Sequence, residues 1–299
     1  MNNKQIALRN LHIAIFLFGF TAILGDLIQL SALMIVWWRV LITSLSLLFL
    51  VNIADILNKM NRRQIIYFAL VGIIVGLHWI TFYGSVKLAN ASVALICLAT
   101  SSFFTSIFEP LLLGRRFRPF ELLLGLAMVP GMWLILNGAK IDIGYGMVVG
   151  LASAFFASLF SILNKKAIDD ADPLDITFIE LGSAWLFLSI VLPIVRITGG
   201  NLGSFLPGWL DFGYLLILSL LCTTLAYVLA LKALKYISAF LANLSINLEP
   251  VYGIILAWLL LGDGEDFNIN FVYGCLIIIA SIASYPMLNR YVSRSRGYG

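Results

Sequence analysis

Residues 87–114 read KLANASVALICLATSSFFTSIFEPLLLG, and residues 235–262 read KYISAFLANLSINLEPVYGIILAWLLLG. At an offset of 148 (235 − 87) the two stretches align without a gap. Eight of the 28 columns are identical: Lys87/Lys235, Ala91/Ala239, Ala94/Ala242, Ile107/Ile255, and the closing Leu111/Leu259, Leu112/Leu260, Leu113/Leu261 and Gly114/Gly262. Leucine-rich segments share some columns by composition alone, so the place of each copy in the chain carries more weight. Each copy is the fourth of five apolar runs in its half.

Ten such runs can be read, roughly 10–30, 33–52, 64–84, 91–113, 119–138, 145–164, 176–196, 212–231, 237–261 and 270–289. Runs of about 20 apolar residues are the length that crosses a bilayer as a helix, and they lack the alternation of barrel strands. Of the 299 residues, 61% are hydrophobic and only 11% charged, against about 25% charged in a soluble chain. The expected fold is therefore an all-α membrane protein of ten transmembrane helices. Nine further runs follow the first, and no A-x-A-like site follows it, so it is read as a span rather than a cleaved signal peptide.

Placing both termini on the cytoplasmic side puts 15 of the 19 Lys and Arg in inner segments, among them Arg62, Arg63, Arg115, Arg116 and Arg118. The acidic stretch GDGEDFNIN at 262–270 then falls outside. This positive-inside bias sets the expected orientation, and it accounts for the net charge of +4 without a nucleic-acid partner. Five spans per half, with halves at 1–140 and 141–299, give the two repeats opposite orientations. Inverted repeats of this kind recur in secondary transporters, with the solute site near the midplane between them.

These features resemble an EamA-type permease of the drug/metabolite transporter superfamily. GLHWITFYGSVKLANASVAL (76–95) and NLEPVYGIILAWLLLGD (247–263) carry most of the likeness. The resemblance covers nearly the whole chain and implies a small carrier, often an exporter, of amino acids, other metabolites or toxic compounds. It also implies a proline near the middle of each fourth helix. Pro250 meets that pattern, but the offset sets Ser101-Ser102 opposite Glu249-Pro250, and the first half's own Glu109-Pro110 comes eight residues later.

Glu249 is the most informative polar residue. It stands about 12 residues into its run, roughly 18 Å at 1.5 Å per residue, which is near the midplane. A carboxyl there is costly and usually faces a bundle interior or wet cavity, and Pro250 frees backbone carbonyls beside it. Helical spacing puts Asn243 and Asn247 on one face and Ser245 and Glu249 on the next. Glu249 is expected to bind a cationic group on the solute or to take up a coupling proton; a purely structural hydrogen bond is the alternative. His78, Trp79, Tyr83, Ser101, Ser102, Thr223 and Tyr227 are expected to line the same solute site, although packing and interhelical hydrogen bonds are equally ordinary uses for such residues. Asp26 with Arg39, and Lys165 with Glu180, follow the repeat with reversed sign and are expected to form ion pairs that close their hairpins, either as gates or as static braces.

The chain contains no G-x-x-x-x-G-K-[ST] loop, no H-E-x-x-H and no C-x-x-C, so the motifs for ATP hydrolysis or metal catalysis are missing. Cys97, Cys222 and Cys275 stand singly, and two histidines, His12 and His78, are too few for a multi-histidine metal site. The reading is a secondary transporter, not an enzyme, with no cofactor and no metal. It handles neutral, zwitterionic or cationic metabolites by alternating access in a plasma membrane, the bacterial inner membrane by the resemblance. Its expected partners are the small-molecule solute and the lipid bilayer, not nucleic acid, and it is expected to be a monomer or weak homodimer. A lipid or lipid-linked precursor flippase, and a passive facilitator or channel, are the alternatives the residues leave open.

Overall fold

The computed structural model describes residues 2–136, 144–200, 202–253 and 269–295, with side chains to residue 292. The second LLLG, the acidic GDGEDFN segment and Lys140 lie outside the described residues. Every described element is helical. The first half holds α1 (Asn3–Phe18), α2 (Thr21–Leu27), α3 (Ala32–Leu48), α4 (Ile53–Lys59), α5 (Arg62–Leu88), α6 (Ala91–Ala99), α7 (Ser101–Leu113) and α8 (Pro119–Ile135). The second holds α9 (Tyr145–Ala167), α10 (Pro173–Ile197), α11 (Trp209–Ser219), a π-helical turn (Leu220–Leu225), α12 (Ala226–Leu234), α13 (Ala239–Ile246) and α14 (Ile269–Ser295).

Among the described residues seven helices are long and apolar enough to cross a membrane, or eight if the bent pair α3–α4, with its 88° turn, is counted as one span. Three of these are composite: α1 with α2, α6 with α7, and α11 with α12. Their starts are written in the sequence. Asn61 accepts from the Gln64 backbone N–H while the Gln64 side chain accepts from that of Asn61, a reciprocal cap that opens α5. Asn90 and Ser238 cap α6 and α13 through the backbone N–H groups of Val93 and Leu241. Gly114 closes α7 with φ of +66°, a left-handed conformation that a β-carbon would strain.

The long peripheral helices divide into an inward and an outward stripe. On α10, Thr177, Glu180, Leu181, Ala184 and Leu188 are buried, while Leu186, Ile190 and Ile194 are exposed at four-residue spacing. Apolar side chains on the outside are stable only in hydrocarbon, so these stripes are lipid-facing. Inside, α5 is the central post, packed between α9 and α10 of the other half. It approaches α10 so closely at Gly72 that a β-carbon there would stand 2.0 Å from the Glu180 carbonyl oxygen. Small residues let helix backbones meet in this way.

The fourth helix of each half is broken at the same place. α6 stops and α7 begins around Thr100, whose φ and ψ are −70° and −9°; α13 stops at Asn247, with −62° and −5°. Helix resumes at Glu249, which the 148-residue offset matches to Ser101. The expected cause was Pro250, and it holds for the second half, where a proline removes the donor that would reach back four residues. The first half breaks without a proline at the matching Ser102. There the Thr100 hydroxyl donates to the Cys97 carbonyl at 2.6 Å, just as Asn247 Nδ2 donates to the carbonyls of Asn243 and Leu244 at 3.2 and 3.1 Å. Both are side-chain substitutes for the helical hydrogen bond, the competition that makes such residues helix-enders.

Candidate functional site

The two breaks face a common interior cavity of about 80 Å³. Glu249, Asn243 and Ile246 come to it from one broken helix, and Leu98 and Ser101 from the other. α5 supplies His78, Trp79 and Phe82; α9 supplies Ala157 and Phe160; α12 supplies Tyr227. Phe18 and Thr21 close it from the break between α1 and α2, and Arg39 from α3.

Glu249 is buried, and its Oε1 accepts a 2.9 Å hydrogen bond from the Thr21 hydroxyl. α1 must end close by for that contact. A β-carbon on Gly19 would lie 3.2 Å from the Glu249 carbonyl oxygen and 3.2 Å from the Gly253 nitrogen, so glycine lets the two backbones meet. Asn243 reaches the first repeat, its Nδ2 donating to Thr105 Oγ1 at 2.7 Å. The break alters the register expected for a straight helix. Asn243 and Glu249, six residues apart, share the cavity, whereas Asn247 turns back onto its own helix and Ser245 is buried.

Arg39 is only 2% exposed and sits in a cage. Its guanidinium lies 3.9 Å from the centre of the Trp79 ring. Nε donates to Thr223 Oγ1 at 2.6 Å, Nη1 to the Tyr83 hydroxyl at 3.0 Å, and Nη2 to the Cys222 carbonyl at 3.4 Å. The π-helical turn makes part of this possible. With i→i+5 spacing the Cys222 carbonyl is turned toward Arg39, and the Thr223 and Thr224 hydroxyls donate to Leu218 and Ser219; such turns cluster at functional sites.

The expected Asp26–Arg39 and Lys165–Glu180 ion pairs are not formed. Arg39 is turned inward to the cage, and Lys165 Nζ donates instead to the carbonyls of Leu234 and Lys235 at 2.8 and 3.2 Å. At the other end of the bundle, Lys87 does the same for the carbonyls of Ile28 and Asp26. A lysine near a helix end satisfies free carbonyls without the desolvation that an intramembrane ion pair requires. The reversed signs of the repeat remain, but their partners are tyrosines. Arg39 binds Tyr83 on α5, and the buried Glu180 accepts from Tyr227 on α12 at 2.6 Å. An Asp26→Arg/Arg39→Asp exchange is therefore expected to rescue neither single charge loss, with thermal stability of the double variant at or below that of Arg39→Asp.

Of the residues expected to bind solute, His78, Trp79, Ser101, Tyr227, Asn243 and Glu249 line the cavity. Tyr83 and Thr223 stand one layer behind, holding Arg39. Ser102 donates to the Ala99 carbonyl, and Asn247 is taken up by its own helix. His78 is tethered to α9, its Nδ1 3.0 Å from both the carbonyl oxygen and the hydroxyl of Ser153. Thr21, Phe160 and the inward role of Arg39 escaped the sequence reading. The signal for Thr21 was a hydroxyl two residues after an intramembrane glycine; that for Arg39 was its being the one cation placed away from the ends of a run.

A second polar cluster joins the halves away from the cavity. Both carboxylate oxygens of Glu109 accept backbone N–H groups at the start of α13, from Ala239 at 3.2 Å and Phe240 at 2.8 Å. Arg115 bridges Glu109 at 3.0 Å and Glu121 at 2.5 Å, and Arg118 donates to Asn289. Burial disfavours the Arg115 cation, but the hydrogen bond to Glu121 and the charges of Glu109 and Glu121 outweigh it, so its pKa is raised further.

The EamA-like transporter family matches this chain twice, over residues 7–137 and 144–285. An uncharacterized transporter of Clostridium kluyveri is 26% identical over 239 residues, 76% of this chain and 74% of that protein. A solved crystal structure superposes with a TM-score of 0.76 over 96% of this chain and 98% of its own, at 15% identity, a likeness of fold alone.

Proposed function

Because the chain belongs to the EamA-like transporter family of the drug/metabolite transporter superfamily, and is thus a multi-pass membrane transporter rather than an enzyme, we propose that it is a secondary carrier of small zwitterionic metabolites, amino acids foremost. The observation that carries this reading is that Glu249 and Arg39 both line one aromatic-walled cavity between the halves. No ion pair joins them among the described residues. A carboxylate of the solute would meet Arg39, and an ammonium group would meet Glu249 and the faces of Trp79 and Tyr227.

A single cation opposite a single anion is poorly suited to a dianionic phosphate, which calls for several cationic groups. The cavity, at about 80 Å³, is far smaller than the roughly 300 Å³ at the low end of ligand pockets, so loading requires the two halves to move apart. In this reading ten spans, in halves 1–140 and 141–299 with both termini cytoplasmic, alternate access across a bacterial inner membrane and export the solute.

The test is a thermal-shift screen of amino acids, amines and sugar phosphates on purified protein, followed by counterflow in proteoliposomes. Amino acids are expected to raise the melting temperature by several degrees and to exchange. Stabilisation and exchange by sugar phosphates with none by amino acids would overturn the reading.

A further inference from the structure

We propose that Glu180, held by Tyr227 and Asn164, is a proton-binding site that lies outside the solute cavity and is coupled to it through Tyr227. The inference rests on the carrier reading above for its role in transport, but not for the binding of the proton itself.

Glu180 is fully buried, the eighth of the 25 residues of α10. One of its oxygens, Oε2, accepts from the Tyr227 hydroxyl at 2.6 Å and from Asn164 Nδ2 at 3.3 Å. The other, Oε1, has no partner, and neither does Oδ1 of the same Asn164. Two buried acceptors without a donor are an incomplete set, since a buried polar group left without its hydrogen bond is costly. A hydrogen on Glu180 Oε1 removes one bare acceptor, provides a donor, and abolishes the buried charge; it also needs no extra volume.

The neighbours offer no other source of positive charge. On α5 the facing titratable group is Tyr67, whose hydroxyl donates to the Leu163 carbonyl at 2.8 Å. On α12 it is Tyr227, and on α9 the neighbour is the neutral Asn164. Arg39 on α3 is committed to Thr223 and Tyr83, and Lys165 to two backbone carbonyls. Among the described residues Glu180 makes no ion pair.

Tyr227 gives the site its link to the solute. Its hydroxyl holds Glu180, while its ring lines the cavity and packs edge-on against Trp79 at 6.2 Å. Trp79 in turn carries the Arg39 guanidinium. A solute that displaces the Tyr227 ring must loosen its hydrogen bond to Glu180, which favours the neutral acid; loss of the proton draws Tyr227 back. That is the differential interaction a coupled carrier requires.

The proton is the probe for the first experiment. Infrared difference spectra of the protein in lipid nanodiscs, acidic minus alkaline buffer, should show the carbonyl stretch of a buried neutral carboxylic acid. One component of it should vanish in Glu180→Gln, persist in Glu249→Gln, and shift in Tyr227→Phe, which removes a hydrogen-bond donor. Spectra that Glu180→Gln leaves unchanged, or a Glu180-dependent component that follows sodium at constant pH, overturn the proposal. In proteoliposomes with a solute that exchanges, Glu180→Gln should retain counterflow but lose at least ~10-fold of the accumulation driven by a pH gradient. Equal loss of both in Glu180→Gln, with the protein still folded by its melting curve, also overturns it. If no solute exchanges even in the unaltered protein, the carrier reading fails while the infrared result still decides the proton site.

Discussion

Glu249→Gln lowers counterflow of the solute by roughly 10- to 100-fold, because a hydrogen bond to a charged group contributes about 1.5–3 kcal/mol more than no bond. The substitution keeps the side-chain shape, and an amide oxygen still accepts from the Thr21 hydroxyl, which holds Glu249 at 2.9 Å. The helix break beside it depends on Asn247 and Pro250 rather than on the carboxyl, so the melting temperature should stay within a few degrees. The loss is therefore one of charge at the solute. A Glu249→Gln protein that exchanges at an unchanged rate, with unchanged pH dependence, would reduce Glu249 to a brace for α1.

The largest effect on stability is expected at Glu109→Ala, which should destabilise the protein by about 3–5 kcal/mol, the usual result of removing one partner from a buried charge cluster. The backbone N–H groups of Ala239 and Phe240 lose their acceptor together, and the guanidinium of Arg115 loses one of its two carboxylates. Glu109 is 1% exposed, so water does not readily replace it. Glu109→Gln keeps one acceptor oxygen and should fall between. Thermal unfolding of the three proteins in the same detergent checks the order. Equal melting temperatures for Glu109→Ala and the unaltered protein would show that α13 begins at Ser238 without help from the first half.

The comparison of sequence and structure is uneven in an instructive way. Ten apolar runs, a charge bias and a gapless repeat pointed to a helical membrane transporter, and the family match and the described helices agree on that. Glu249 was legible too, since a carboxylate in a greasy run is conspicuous at any register. The ion pairs were not, because opposite charges at similar depth say nothing about which way each side chain turns. Arg39 had a hydroxyl, a phenol, a carbonyl and an indole face available within its reach. Glu109 was noticed only as a misplaced Glu-Pro, since the two backbone donors it holds stand 130 and 131 residues away.

Composition and periodicity decided the solvent, the secondary structure and the twofold plan, because those depend on local hydrophobicity and on the length of each run. The tertiary structure alone decided what each polar group meets. The first fourth helix breaks at Thr100 without a proline, and Glu180 shares Tyr227 with the cavity instead of pairing with Lys165. In a low-dielectric interior every polar group must find a partner, and that partner belongs to a helix whose position no local pattern records.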